Sequence, residues 1–222
     1  MKSADKRKLQ MFVDVLMIGI LLLQMSYSIA GEMLHEITGM AFFVLFIIHH
    51  TLVIRYTKAL FRGKRTPEKT VKILMDILLL IIVLLMILSA IPISKYIFTF
   101  IGLSRFASLG RTIHLLGAYW GFALINIHLG FHLDRILHKP MQKNKGLTVL
   151  VLTTIFIAGL IVFIKEGIYQ YMFLINLFVY FDTNSGLLIF ILKYILIAGM
   201  FAVVGYAGIT LLKGKKKNEI IR

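Results

Sequence analysis

Apolar residues run along this chain in six long stretches, and the short connections between them hold most of the charged residues. A transmembrane helix needs about 20 largely apolar residues, and 59% of the whole chain is hydrophobic. The pattern therefore predicts an all-α fold, a polytopic membrane bundle of six transmembrane helices. The predicted helices cover residues 9–30, 35–56, 71–93, 111–133, 146–165 and 185–212.

The charged residues predict how this bundle is oriented. Lysine and arginine cluster before the first predicted helix and after the second, fourth and sixth. All four clusters fall on one side of the membrane if both termini are cytoplasmic, in agreement with the positive-inside rule. The formal net charge of +15 is then explained by loops that face anionic lipid. We expect membrane lipid as a partner and no nucleic acid.

The start of the chain has the features of a signal peptide, with basic residues, an apolar stretch and Ser-Ile-Ala at 28–30. It is longer than is typical, and it has a later counterpart, because Asp14 and Asp76 each precede a helix flanked by histidines. We therefore expect a retained helix, and a four-helix core over residues 1–140 followed by two added helices over 141–222. The aspartates are expected to cap or pair near the membrane interface.

The connection before the last predicted helix contains an aromatic segment, IYQYMFLINLFVYF, over about residues 168–181. It is short for a membrane span and rich in the aromatic residues that favour membrane interfaces. The pattern predicts an interfacial or re-entrant helix on the outer face. Such a helix is either a lid on the bundle or a docking surface, and the sequence leaves both open.

Four histidines form two pairs with the same spacing. His35 and His49 are fourteen residues apart, and so are His114 and His128. Fourteen residues fall about 40° short of four helical turns, so each pair shares a helix face, with about 21 Å between its members. The second and fourth helices run in the same direction. His35 is therefore level with His114 (the outer pair), and His49 is level with His128 (the inner pair).

Histidines inside a membrane span are costly unless a partner satisfies them, so they are functional candidates. The chain contains no cysteine, which excludes iron–sulfur clusters and thiolate metal sites. Two histidine pairs at two depths suit two six-coordinate haems, each with one iron ligand from each helix. The sequence thus predicts a four-helix diheme core with His35, His49, His114 and His128 as iron ligands.

The side chains between these histidines fit the same interpretation. A flat macrocycle needs small residues where it meets the backbone and bulky apolar residues where it must exclude lipid. The alternative is ordinary helix packing, which also favours small residues. The candidate cofactor-binding residues on these faces are Gly39, Phe42, Phe46, Gly117, Ala118 and Gly121.

Two further histidines leave the inner ligands open. His132 lies on the same helix face as the outer ligand of its helix and deeper toward the cytoplasm, so it could replace His128 or support the inner haem. His50 could likewise replace His49. His138 lies among loop lysines and is expected to be solvated.

Haem propionates need cationic or hydrogen-bonding partners. Arg111 precedes His114 by three residues, which places it one turn away at the outer end of the fourth helix. It is the leading candidate to bind an outer propionate, ahead of Arg105 and Lys95. Each of these cations is also a typical interfacial anchor.

The two histidine motifs resemble the diheme cytochrome b superfamily. In detail, HEITGMAFFVLFIIHH at 35–50 and RTIHLLGAYWGFALINIHLGFH at 111–132 are similar to the flavinylation-associated cytochromes, a bacterial family formerly described as a domain of unknown function. The resemblance covers the first four helices, and Leu133 stands where a tryptophan often follows the last histidine. It implies a b-type haem protein of the bacterial cytoplasmic membrane that passes electrons to an extracytosolic FMN-bearing flavoprotein, with menaquinone as a candidate donor.

The expected function is transmembrane electron transfer, as a subunit of an oxidoreductase system more than as a stand-alone enzyme. The alternative is a histidine-dependent metal-ion transporter or channel, since His128 and His132 are four residues apart and share a helix face. Against it, the middle of the bilayer lacks the carboxylates and broken helices typical of a translocation site. A scaffold without a cofactor would leave the matched histidine spacing unexplained.

Overall fold

The computed structural model describes residues 3–62, 64–177 and 186–220. Every regular element within these ranges is a helix. The long helices are α1 (Ser3–Met25), α3 (Glu32–Leu60), α4 (Pro67–Ala90), α5 (Ala107–Gly130), α7 (Lys145–Lys165) and α9 (Leu187–Ile220). The shorter ones are α2 (Tyr27–Ala30), α6 (Asp134–Lys143) and α8 (Ile168–Met172), and 3-10 turns lie at Ile91–Ile93, Thr99–Ile101 and Ser104–Phe106.

Six helical segments are long and apolar enough to cross a membrane, which confirms the predicted six-helix, multi-pass membrane architecture. These segments are Asp5–Met25, Glu32–Leu60, Pro67–Ile93, Ser104–Gly130, Lys145–Lys165 and Leu187–Lys213.

Two of the predicted helices end earlier than the apolar pattern indicates. The first ends at Met25, because the next residue, Ser26, turns its hydroxyl back onto the carbonyl oxygen of Leu23 at 2.7 Å. The fourth ends at Gly130, and the amide of His132 then bonds the carbonyl oxygen of Leu129 at 3.0 Å. This i−3 bond is typical of a tightened last turn. The helical spacing therefore does not extend to His132.

The starts of two transmembrane helices carry the caps that their sequences favour. Thr66 accepts a hydrogen bond from the amide of Lys69 at 3.3 Å, and proline occupies the first position of α4. Asn144 caps α7 by accepting from the amide of Leu147 at 3.0 Å. Such caps satisfy amides that have no partner inside the helix.

Four of the long helices pack as two pairs, and α9 packs against the second pair. The first pair is α1 with α3, and the second is α4 with α5. Helix α9 packs along both α5 and α7, and the most buried side chains, among them Phe122, Tyr194 and Ile197, lie at this contact. By contrast, α3 and α5 approach each other closely at no more than isolated points.

Glycines permit the close contact between α5 and α9. A Cβ atom at Gly130 would overlap the carbonyl oxygen of Ala202, and one at Gly205 would overlap that of Ile127. Small residues that let helix backbones approach are common in membrane bundles, where apolar burial alone does not drive helix association.

The connection between α4 and α5 is held against the bundle. The Glu36 carboxylate on α3 accepts hydrogen bonds from the Ser94 hydroxyl at 2.7 Å and from the amides of Lys95 and Ile97 at 2.6 and 3.0 Å. We call this arrangement the Glu36 clamp. It ties α3 to the connection between α4 and α5.

The predicted aromatic segment begins with the five-residue helix α8, which covers one side of α5. The ring of Tyr171 stacks on that of Tyr119 with 5.0 Å between centroids. The indole Nε1 of Trp120 donates to the carbonyl oxygen of Met172 at 2.7 Å. These contacts favour the lid interpretation for the start of the segment, whereas its end, at 178–181, lies outside the described residues.

Candidate functional site

Helices α3 and α5 each carry two histidines and bring them level with each other. The rings of His35 and His114 lie 6.0 Å apart between centroids. At the other end, His49 is close enough to His128 for the two imidazoles to interact electrostatically. The two helices therefore run in the same direction with their histidines in register, as the fourteen-residue spacing predicts.

The outer pair is supported from the neighbouring helices α1 and α4. The hydroxyl of Ser89 on α4 lies 3.2 Å from Nδ1 of His114. The amide nitrogen of Gln24 on α1 donates to the backbone oxygen of His35 at 3.0 Å and to the hydroxyl of Thr38 at 2.6 Å. Nδ1 of His35 is buried, and no described residue provides it with a hydrogen-bond partner.

The inner pair is supported by carboxylates from the same two helices. Asp14 on α1 places Oδ1 2.7 Å from Nδ1 of His49, and Asp76 on α4 places Oδ1 3.4 Å from Nδ1 of His128. The first distance is that of a charge-assisted hydrogen bond, and the second is a looser contact. The two helix pairs thus repeat one arrangement, an aspartate on the first helix that faces a histidine on the second.

The two other histidines lie beside the inner pair in different surroundings. Nδ1 of His50 lies 3.0 Å from the carbonyl oxygen of Phe46, and its ring stacks at a tilt against that of Phe46. His132 follows the end of α5, and its ring centroid is 5.1 Å from that of His128. The repeated aspartate contact favours His49 and His128 as the inner ligands.

The small residues predicted to meet a macrocycle lie at helix contacts. A Cβ atom at Gly117 would come within 2.7 Å of the Met86 sulfur on α4, and one at Gly121 within 3.1 Å of an Ile82 methyl. Gly39 faces the Gln24 side chain across an ordinary contact of 3.7 Å. These positions match the packing interpretation as well as the macrocycle one.

The remaining candidate side chains line the same faces. Phe46 is buried, whereas Phe42 on α3 and Ala118 on α5 are half-buried. Arg111 is exposed at the start of α5, one turn from His114, where a propionate carboxylate at the outer haem would need a cation.

Tyr27, on α2, completes the outer end of the site. Its ring packs edge-on against that of His35 at 5.1 Å, and its hydroxyl donates to Glu32 at 3.0 Å. Burial and, next, the hydrogen bond to Glu32 raise the pKa of the Tyr27 phenol above its ordinary value. The phenol therefore stays protonated and acts as a hydrogen-bond donor at neutral pH.

The outer histidine pair fits a bis-histidine haem in the separation of its rings. The contacts of His49 with Asp14, of His114 with Ser89 and of His128 with Asp76 are all made through Nδ1. Two metal–imidazole bonds of about 2 Å each, plus the distance from each nitrogen to its ring centre, span about 6 Å between ring centres. The rings of His35 and His114 have this separation, so these two residues would hold a haem, which would supply one-electron chemistry.

A bare metal ion would need more protein ligands. Among the residues that the structure describes, no group of three or more histidine, cysteine, aspartate or glutamate side chains is arranged to hold one. Structural and catalytic zinc sites use three or four such ligands, whereas a six-coordinate haem iron takes two.

Sequence reasoning did not find several of the supporting groups. Ser89 and Gln24 carry no pattern of their own, because polar residues in apolar helices most often bond their own backbone. Asp14 and Asp76 were noticed as a repeat, but their contacts with histidine were not anticipated. The sequence signal for these contacts is an aspartate repeated at matching positions of two apolar helices.

The fold and the site define an all-helical, multi-pass membrane protein with imidazoles paired at two depths. No known protein family, curated protein or solved structure matches this chain.

Proposed function

We propose that this protein transfers electrons across the membrane as a diheme b-type cytochrome with bis-histidine ligation. The observation that carries the proposal is the arrangement of four histidines on two helices, with the outer rings 6.0 Å apart and with supporting contacts at Nδ1 of His49, His114 and His128. Two haems, when bound, would supply one-electron carriers at two depths. The chemistry asked of the chain is to bind, orient and insulate them.

Each side chain of the site has a separable task in this proposal. The Nε2 atoms of the two histidine pairs would bind iron, and the groups at Nδ1 select the tautomer and fix the ring orientation. Ser89 would hold His114 in this way and Asp14 would hold His49, whereas Asp76 lies 3.4 Å from Nδ1 of His128 without a hydrogen bond. Arg111 is the candidate partner for an outer propionate.

The proposed path joins a donor to an acceptor through this chain. Oxidation of a quinol such as menaquinol releases two electrons and two protons, and reduction of the flavin in an extracytosolic FMN-bearing protein takes up two electrons and two protons. The chain would pass the electrons singly, while the protons exchange with water on each side. The resemblance of the histidine motifs supports the choice of donor and acceptor.

The first test is the reduced-minus-oxidised optical spectrum of the purified full chain from haem-replete cells, with haem quantified per chain. We expect low-spin b-type bands and about two haems per chain. A folded, haem-free protein would contradict the proposal.

Single ligand variants test the pairing. Because each haem takes one ligand from each helix, His35→Ala and His114→Ala should each reduce the haem content from two to about one, with the same haem lost. His138→Ala is the matched control, since His138 is exposed on α6 and contacts only Gln142 among described residues. Equal loss of both haems in either ligand variant would indicate collapse of the bundle instead.

Metal-ion transport is the second candidate, favoured by the 5.1 Å approach of the His128 and His132 rings. It predicts saturable zinc uptake into proteoliposomes that contain the haem-free protein, and loss of that uptake in His132→Ala. The cytochrome proposal predicts no zinc uptake and an unchanged haem content in the same variant.

A further inference from the structure

The inner and outer histidine pairs differ in what faces their Nδ1 atoms. Both inner histidines face a carboxylate, Asp14 at 2.7 Å from His49 and Asp76 at 3.4 Å from His128. Neither aspartate forms an ion pair with a lysine or arginine among the described residues. Two carboxyl groups therefore lie directly behind the inner imidazoles.

The outer histidines have neutral surroundings at the same atom. His114 faces the Ser89 hydroxyl at 3.2 Å, and Nδ1 of His35 has no described partner. Neither outer imidazole has a carboxylate in contact with its Nδ1 among the described residues, and the Glu36 carboxylate acts on His35 only through space.

From this difference we infer that the inner haem has the lower reduction potential, so that electrons run downhill from the inner to the outer face. The inference rests on the proposed function. A carboxylate that accepts a hydrogen bond from a ligating imidazole makes that ligand more basic. A more basic ligand and nearby negative charge stabilise the ferric iron, which lowers the potential.

The other charges near the site do not cancel this asymmetry. On the inner side, Lys72 interacts electrostatically with Asp76, but it donates its hydrogen bond to Glu68 at 2.6 Å. On the outer side, Glu32 is paired with Lys95 at 2.5 Å.

The outer carboxylate nearest to His35 in sequence is Glu36, and the backbone amides and hydroxyl of the Glu36 clamp surround it. Neither outer carboxylate hydrogen-bonds an imidazole in the described part of the chain. The aspartates are thus positioning residues specific to the inner pair.

The internal step balances without another reactant. With both haems bound, one electron would pass from the haem held by His49 and His128, which would be oxidised, to the haem held by His35 and His114, which would be reduced. No bond breaks and no proton moves. The asymmetry gives this step its direction, and it suits a donor on the inner side and an acceptor outside.

The order of the potentials is tested first, by potentiometry of the full chain in detergent or lipid nanodiscs. The wild type should show two midpoint potentials. His114→Ala, which retains the inner haem, should show only the lower of the two, whereas His49→Ala should show only the higher. If His114→Ala does not fold, His35→Ala gives the same measurement. The opposite order would overturn the inference.

Aspartate variants test the cause. Asp14→Asn keeps an oxygen acceptor for His49 but removes the charge, so the lower potential should rise while the higher one stays in place. We expect at least a tenfold change in the electron-sharing equilibrium between the haems, which is about 59 mV for a one-electron couple. Asp76→Asn should shift the same potential in the same direction and by less, because its contact is longer.

Glu68→Gln is the matched control. It removes a carboxylate from the same helix as Asp76 that bonds Lys72 and no imidazole. Equal shifts in Glu68→Gln and Asp14→Asn would show that general charge, and not the aspartate contact, sets the potential, and would overturn the inference. If the protein binds two haems but their midpoint potentials have the opposite order, or do not depend on the aspartates, this inference fails while the proposed cytochrome function is retained. A folded wild type without haem would contradict both the function and the inference.

Discussion

Helices α3 and α5 carry the same chemistry in different surroundings. Each has two histidines fourteen residues apart, and each receives an aspartate from the helix before it. Yet α5 buries one face against α4 and α9, whereas α3 packs mainly against α1 and has few fully buried residues. The histidines and their aspartates are repeated between the two helix pairs, but the packing of neighbouring helices around them is not.

This difference indicates that α3 and α5 contribute equally to the histidine pairs but unequally to the stability of the fold. The central helix α5 should tolerate little change where its glycine Gly130 meets the backbone of α9, because an added side chain there has no room. The edge helix α3 should tolerate more, because lipid can adjust to an added side chain. The following variants test the comparison, from the largest expected effect to the smallest.

The largest effect is expected at Gly130. In Gly130→Ala the new methyl overlaps the backbone oxygen of Ala202 on α9, so the two helices must separate. Overpacking costs about 1–3 kcal/mol and occasionally more, and a backbone neighbour places this site at the upper end. We expect a large loss of folded protein, measured by size-exclusion profile and thermal unfolding.

Gly39→Ala on α3 is the matched variant. Its added methyl meets only the Gln24 side chain at 3.7 Å, an ordinary contact. The midpoint of thermal unfolding should therefore stay near that of the wild type. Equal destabilisation by the two alanines would remove the distinction between a central and an edge helix.

A moderate effect is expected at Glu36, which ties the edge helix to the central pair. Glu36→Ala leaves the Ser94 hydroxyl and the amides of Lys95 and Ile97 without their acceptor. Loss of such a partner costs about 1–3 kcal/mol when the donors are buried and less when water reaches them. We expect faster hydrogen exchange at residues 94–97 and a lower midpoint of thermal unfolding.

Glu36→Gln serves as the conservative variant, because one amide oxygen remains as an acceptor. It should restore part of the protection at 94–97. Exchange rates that are unchanged in Glu36→Ala would mean that the clamp does not order the connection.

The smallest effect is expected from the exposed ion pair of Lys95 with Glu32. The hydrogen bond to Glu32 is the main cause that raises the pKa of Lys95 above its ordinary value. A raised pKa means that the folded state binds the proton more tightly than the unfolded state does. The contribution of the ion pair to the free energy of unfolding is therefore fully present below the ordinary lysine pKa. It is lost as the pH rises through the raised value.

Exposed ion pairs contribute little, so Lys95→Gln should lower the midpoint of thermal unfolding only slightly at neutral pH. The difference from the wild type should vanish in strongly alkaline solution. Lys58→Gln, at the opposite end of α3, is the control and should show no such pH dependence. A difference that grows with pH would contradict the sign of the argument.

The helices and the histidine register could be predicted from the sequence because both depend on short-range periodicity. Long apolar runs identify spans whatever their neighbours, and fourteen-residue spacing keeps His35 and His49 on one face of any straight α-helix. The end of α5 at Gly130 was missed, since the apolar pattern continues through Phe131 and Leu133 while the backbone turns. His132 was therefore placed on a helix that had already ended.

The sequence by itself determined six membrane helices and two histidine pairs in register, because hydropathy and helical periodicity act along the chain. Only the tertiary structure decided what stands behind each imidazole: Asp14 and Asp76 at the inner pair, and Ser89 or no described group at the outer pair. Such contacts depend on which helices are neighbours and how they rotate about their axes. Neither property can be predicted from the residue spacing within a single helix.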